Sequence, residues 1–153
     1  MIEFENTIQI KRPLNEVFRF LSDLENLPRW NYFVTRVRKV SEGPIGIGTI
    51  YHQVRKTDEQ TLQIVELEPQ HKLRVKTISK LFPRLEMELE FEASEGGTIM
   101  TDRWKLETGK PALLERLALH NVRSAVHENL TKLKALMEEG QVVLQDGRQS
   151  SLV

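Results

Sequence analysis

Residues 84–107 constrain the fold more than any other part of this chain. In RLEMELEFEA, Leu85, Met87, Leu89, Phe91 and Ala93 alternate with Glu86, Glu88, Glu90 and Glu92, the period-two pattern of a strand with one apolar and one solvated face. Gly96-Gly97 follows and reads as a two-residue hairpin turn, because tight hairpins need backbone conformations that glycine reaches without strain. With Glu95 opposite Thr98, Leu89 faces Trp104, Met87 faces Leu106 and Asp102 faces Phe91 on the apolar side. On the other side Glu90 meets Arg103 and Glu88 meets Lys105. Apolar partners meet and opposite charges meet, which is how cross-strand pairs stabilise a sheet. A slip of one residue destroys both matches.

The remaining segments supply further strands and two kinds of helix. Ile2, Phe4, Ile8 and Ile10 share one parity of a strand over 2–10. Pro13 opens a short helix in which Val17, Phe18, Leu21 and Leu24 recur at helical spacing, proline being well placed in a first turn. A second helical turn is expected over Leu24 to Trp30, then strands over Val34–Val40, 49–56, 61–68 and 72–78. A long helix from Pro111 to Glu139 places Ala118, Val122, Ala125, Leu133 and Leu136 on one face, with Gly140 as its stop. Residues 141–153 have little periodicity and are expected to form a flexible tail, which leaves 1–140 as one domain. Short turns between strands require an antiparallel sheet. The expected fold class is therefore α+β: a seven-stranded curved antiparallel sheet wrapped around a long C-terminal helix, with two short helices after the first strand. A wrap of this kind leaves an apolar gap between helix and concave sheet.

Composition removes several function classes. Lys+Arg and Asp+Glu both number 22, so no net field steers the chain onto nucleic acid or anionic lipid. There is no cysteine, hence no disulfide, thiolate metal site or Cys nucleophile. The alternating, acid-bearing start MIEFENTIQIKRP is not of targeting type, and no apolar run approaches the roughly 18 residues of a membrane span. The expectation is a cytoplasmic protein, monomer or homodimer, without cofactor, nucleic-acid partner or integral membrane association. His120 and His127 share a helix face opposite the apolar one, and two histidines without a third ligand make a poor metal site. The glycines of GPIGIG lead into a strand and lack the Lys-Ser/Thr of a phosphate loop.

The segments PLNEVFRFLSDLENLPRW (13–30), VTRVRKVSEGPIGIGTIY (34–51), IVELEPQHKLRV (64–75), GGTIMTDRWKL (96–106) and ENLTKLKALMEE (128–139), in this order, resemble the START-like or Bet v 1-like (SRPBCC) superfamily, in particular its polyketide cyclase/dehydrase-like branch. The resemblance implies the helix-grip fold and a hydrophobic cavity. It covers lipid carriers, hormone binders and aromatic polyketide cyclases alike, so it implies no reaction. It also implies that Tyr51, Gln53 and Arg55 share the cavity side of their strand, although Ile50 and Val54 leave either face open by pattern alone. Bulky residues after the short helices gate the cavity in this family, which brings in Trp30.

The candidate ligand-binding residues are thus Trp30, Tyr51, Gln53, Arg55, Met87, Leu89, Phe91, Asp102, Trp104, Ala118, Val122, Ala125 and Asn129. Asp102 is the most informative. It shares the apolar parity of its strand, and a buried carboxylate needs a partner or a proton. Arg55 is its expected partner, and Tyr51 would offer a hydroxyl beside them. For each there is a plainer structural use: an ion pair at a cavity mouth, an exposed side chain, a core aromatic, an amide satisfying backbone. The expected function is binding or carriage of an apolar, lipid-like or aromatic molecule. The alternatives are a cyclase/dehydratase-type lyase using Asp102, Arg55 and Tyr51, and a protein interaction module.

Overall fold

The computed structural model describes residues 1–153. Strand β1 (Ile2–Ile10) is followed by α1 (Leu14–Ser22) and a 3-10 helix (Leu24–Arg29). Six strands come next: β2 (Val34–Lys39), β3 (Ile50–Arg55), β4 (Glu59–Glu68), β5 (Lys72–Thr77), β6 (Arg84–Ser94) and β7 (Gly97–Glu107). Then come α2 (Ala112–Glu139) and two short strands, β8 (Gln141–Val143) and β9 (Gln149–Ser151). Strands β1 to β7 form one antiparallel sheet in the order β1-β7-β6-β5-β4-β3-β2. The helix-grip architecture expected from the sequence is the one observed. No helix is long and apolar enough to cross a membrane.

The β6–β7 hairpin keeps the expected parity but not the expected register. Ser94 pairs Gly97, so the turn is Glu95-Gly96 and every partner moves by two: Met87 faces Trp104, Leu89 faces Asp102, Phe91 faces Met100 and Glu88 faces Arg103. The two glycines do different jobs. Gly96, at φ +115°, takes the turn conformation. Gly97 lies in the strand against the end of β1, where a Cβ would stand 2.2 Å from the Ile10 carbonyl oxygen. A shift of two conserves which face each side chain occupies. Charge matching survives too, because Arg103 bridges Glu90 at 2.9 Å and Glu5 at 3.1 Å across the convex face.

Bulges between Val34 and Arg36 and between Ile64 and Glu66 bend the sheet. The concave face then closes on α2 unevenly. The C-terminal half of α2 sinks Val126, Leu130, Leu133, Leu136 and Met137 into a core with Ile10, Val17, Leu21, Leu73 and Met100. The N-terminal half stands off the sheet, with Leu113, Leu114 and Leu117 exposed. The helix face expected to be buried divides along the helix: Leu133 and Leu136 are buried together with Val126, Leu130 and Met137, while Ala118, Val122 and Ala125, nearer the lifted half, are half-buried. At the other end of the sheet, α1 fills the space. Phe18 meets Phe91 edge-on at 5.2 Å between ring centroids.

Residues 141–153, expected as a tail, carry a hairpin. Their strands β8 and β9 pair Gln141 with Ser151 and Val143 with Gln149, Leu144 is buried, and Leu152 N–H donates to Gly140 C=O at 3.0 Å. The apolar residues here number too few to give a sequence period, since only Leu144 and its neighbours Val142 and Leu152 point at the body.

Candidate functional site

A cavity of about 260 Å³ lies between the concave sheet and the middle of α2. Its floor is Leu62, Val75, Leu85, Met87, Trp104 and Leu106, drawn from β4, β5, β6 and β7. The roof is Val122, Ala125, Val126 and Asn129 of α2. Leu24 and Leu27 of the 3-10 helix, Asn31 and Phe33 of the next loop, and Gln53 and Arg55 of β3 close one side. Thirteen of its 18 lining residues are hydrophobic, and none is an acid.

Seven of the candidate residues meet here: Gln53, Arg55, Met87, Trp104, Val122, Ala125 and Asn129. The alternation of β3 that the pattern left open is thereby read: Tyr51 and Gln53 are buried on the concave side, and Arg55 follows on the same parity. The other six stand elsewhere. Leu89 and Phe91 are packed core at the α1 end of the sheet, Trp30 is buried in the same core, and Ala118 lies outside the cavity wall. Asp102 and Tyr51 are buried but do not line the space. The apolar gap expected between helix and concave sheet is present at Trp104 but not at Phe91, because α1 occupies the Phe91 end.

Arg55 and Asp102 do not pair. Arg55 Nε sits 3.6 Å from Asp58 Oδ1, within the β3–β4 turn that Arg55 N–H closes by donating to Asp58 C=O at 2.8 Å. A partner three residues away in the same turn is found before one across the sheet. Asp102 is left with a single hydrogen bond, accepted by Oδ2 from Trp104 Nε1 at 3.1 Å, while its Oδ1 has no partner. Burial pushes its carboxyl up to about 7, against the smaller opposing effect of the indole. Tyr51 points toward the start of the 3-10 helix. Its hydroxyl has no hydrogen-bonding partner, and burial, aided by the nearby Asp23 charge, raises it to about 12.

The polar lining residues are the amides Asn31, Gln53 and Asn129 and the cations Arg55 and Lys76. Gln53 Nε2 donates to Gln60 Oε1 at 3.5 Å, and Gln60 Nε2 donates to Pro83 C=O at 3.4 Å. Asn129 Nδ2 donates to Asn31 Oδ1 at 3.2 Å, and Asn129 Oδ1 accepts from Gln145 Nε2 at 2.9 Å. Trp104 is held from two sides, by Asp102 and by Phe4, whose ring stacks on it at 5.6 Å. Such a wall can enclose an apolar guest and offer it a few hydrogen bonds. No cluster of three or more His, Asp or Glu is placed to hold a metal ion.

Sequence reasoning missed Leu24, Leu27, Asn31, Phe33, Val34, Leu62, Val75, Lys76, Leu85, Leu106 and Val126. Leu85 and Leu106 carried a usable signal, since they continue the apolar parity of the hairpin. Asn31 and Phe33 lie in a loop, where no periodicity tells inside from outside.

Comparison with known proteins agrees with this geometry. A family described as polyketide cyclase / dehydrase and lipid transport matches residues 1–138. No curated protein sequence matches the chain. Among solved structures, a START superfamily protein from Mycobacterium smegmatis superposes with a TM-score of 0.75 at 9% identity, over 91% of this chain and 99% of that one. Protein MLL2253 from Mesorhizobium loti gives 0.71 at 13% identity, over 92% and 99%. The di-domain ARO/CYC StfQ from the steffimycin biosynthetic pathway gives 0.72 at 18% identity, over 90% of this chain but 51% of that one. This chain thus spans about half of the di-domain protein. At these identities the superpositions establish a shared fold alone.

Proposed function

The chain belongs to the polyketide cyclase / dehydrase and lipid transport family, and from that premise we propose that it binds and carries a small apolar molecule in the cavity beneath α2. The observation that carries this reading is the unfilled space between the lifted half of α2 and the sheet, about 260 Å³ with a mostly hydrophobic wall. Drug-sized ligand sites occupy about 300–1,000 Å³. The volume therefore suits a guest of one or two rings, or one medium-length chain, better than a two-chain lipid. A cyclase-type reaction would need Asp102, Arg55 and Tyr51 to converge on one point. Only Arg55 of the three reaches the cavity wall, so the geometry favours binding over turnover.

Titration with N-phenyl-1-naphthylamine, a dye that brightens in apolar surroundings, tests the proposal. Saturable binding at one site per chain, reversed by small aromatic competitors, is the expected result. A linear, non-saturable signal, together with no molecule released from the purified protein by organic extraction, would overturn it.

A further inference from the structure

The C-terminal hairpin lies beyond the residues 1–138 that match the family, yet it is bonded to three segments of the cavity wall. Lys56, just past β3, bridges Asp146 at 3.0 Å. Arg148 donates to Tyr32 C=O at 3.2 Å, and Arg29 donates to Ser151 C=O. Both carbonyl contacts bear on the segment that contributes Asn31 and Phe33 to the cavity. The third attachment is Gln145, bonded to Asn129 of α2.

This last contact belongs to a chain of amides whose polarity is fixed from one end. Phe33 N–H donates to Asn31 Oδ1 at 3.1 Å. A backbone N–H cannot reverse its role, so Asn31 must present oxygen there. The same oxygen accepts from Asn129, which must therefore present Nδ2 to Asn31 and turn Oδ1 toward Gln145. Gln145 must then donate, which it does, leaving its own Oε1 buried without a partner. Each carboxamide has two N–H groups. One N–H of Asn129 and the Nδ2 group of Asn31 are not used by any protein acceptor. Both residues line the cavity, whose charged lining residues are both cations, Lys76 and the Asp58-paired Arg55. The polar corner is thus rich in donors and has no carboxylate.

We infer that the C-terminal hairpin completes the ligand site: Gln145 is a positioning residue that holds Asn129 and Asn31 as a donor pair for an acceptor oxygen, of carbonyl or carboxylate type, on the bound apolar molecule. This rests on the binding function proposed above. Without the Gln145 donor, Asn129 Oδ1 would be left unpaired and only the bond to Asn31 would hold the amide, so its free N–H would be less firmly aimed at the guest.

Competition against N-phenyl-1-naphthylamine tests it with shape-matched naphthalenes. 2-Acetylnaphthalene and 2-isopropylnaphthalene differ in a carbonyl oxygen against a methyl group, and 2-naphthoate adds the carboxylate. Substitution Gln145→Met keeps side-chain length and removes the donor; Asn129→Leu removes the recognising amide. In each variant the affinity of the two oxygen-bearing compounds relative to the hydrocarbon should fall about 2- to 10-fold, and in Gln145→Met, which lies outside the cavity wall, dye affinity should change little. Which oxygen compound loses more identifies carbonyl or carboxylate as the preferred acceptor. An unchanged ratio in Gln145→Met, with the dye still bound and the melting curve intact, overturns the inference and leaves the binding function standing. Should Asn129→Leu fail to fold, the Gln145→Met ratio decides alone. Absence of saturable dye binding to the unaltered chain overturns both.

Discussion

Trp104 Nε1 donates to Asp102 Oδ2 at 3.1 Å, so an aromatic wall of the cavity hangs on a carboxyl buried behind it. This explains why a carboxylic acid on the apolar face of β7 is compatible with folding. One hydrogen bond from an indole offsets only part of the desolvation cost, and burial wins, raising the carboxyl from its ordinary 3.8 to about 7. In the unfolded chain Asp102 ionises near 3.8, so between roughly pH 4 and 7 the fold keeps a proton that the unfolded chain has released. Stability from this group is complete below pH 4 and is lost as pH rises through 7. Asp102→Asn should be more stable than the parent at pH 8 by a few kcal/mol (about 1.4 kcal/mol per pKa unit), with the gap closing toward pH 4. Urea melts at both pH values read this directly. A gap independent of pH would show that Asp102 does not titrate in this range.

Filling the cavity should separate binding from folding. Ala125 lines the roof on the half-buried face of α2, and Phe at this position would occupy volume the guest needs. The expected outcome for Ala125→Phe is loss of dye binding by at least tenfold with a melting temperature near that of the parent. A variant that binds the dye normally would show that the guest sits elsewhere.

Phe91 behaves as core. Its ring packs against Phe18 at the closed end of the sheet, so Phe91→Ala should cost about 3–5 kcal/mol and leave dye affinity of the remaining folded protein unchanged. Chemical denaturation and dye titration at low temperature check the two halves of that statement.

The two glycines of the β6–β7 turn should respond differently. Gly96 has open space around a Cβ, so Gly96→Ala should cost only the backbone strain of its φ of +115°, about 1–3 kcal/mol. Gly97→Ala would force a Cβ into the Ile10 carbonyl at 2.2 Å and should cost about 3 kcal/mol or more. Equal melting temperatures for Gly97→Ala and the parent would contradict the close approach of β7 to β1.

Hydrophobic pattern determined the architecture. Period-two alternation in 84–107 fixed which side chains face inward, and that survived a register two residues from the expected one, since parity is all that alternation encodes. The 3.6-residue period of α2 located the helix and its inward face, since Leu133 and Leu136 are buried, but not the lift that leaves Ala118, Val122 and Ala125 only half-buried. Seven of thirteen candidate residues reached the cavity: Met87, Trp104, Val122, Ala125 and Asn129 from elements with a readable period, and Gln53 and Arg55 from β3, whose inner face the pattern left open.

What only tertiary structure decided was where the concave face is full and where it is empty. That depends on α1 docking at the Phe91 end, on bulges bending the sheet, and on how far α2 lifts, none of which leaves a local pattern. It also depends on the choice of polar partner: Arg55 takes Asp58 in its own turn instead of Asp102 across the sheet, and Gln145 takes Asn129 of α2. Local sequence fixes the periodicity of burial, a short-range property. Occupancy of a cavity and choice of polar partner are settled by the geometry of the whole chain.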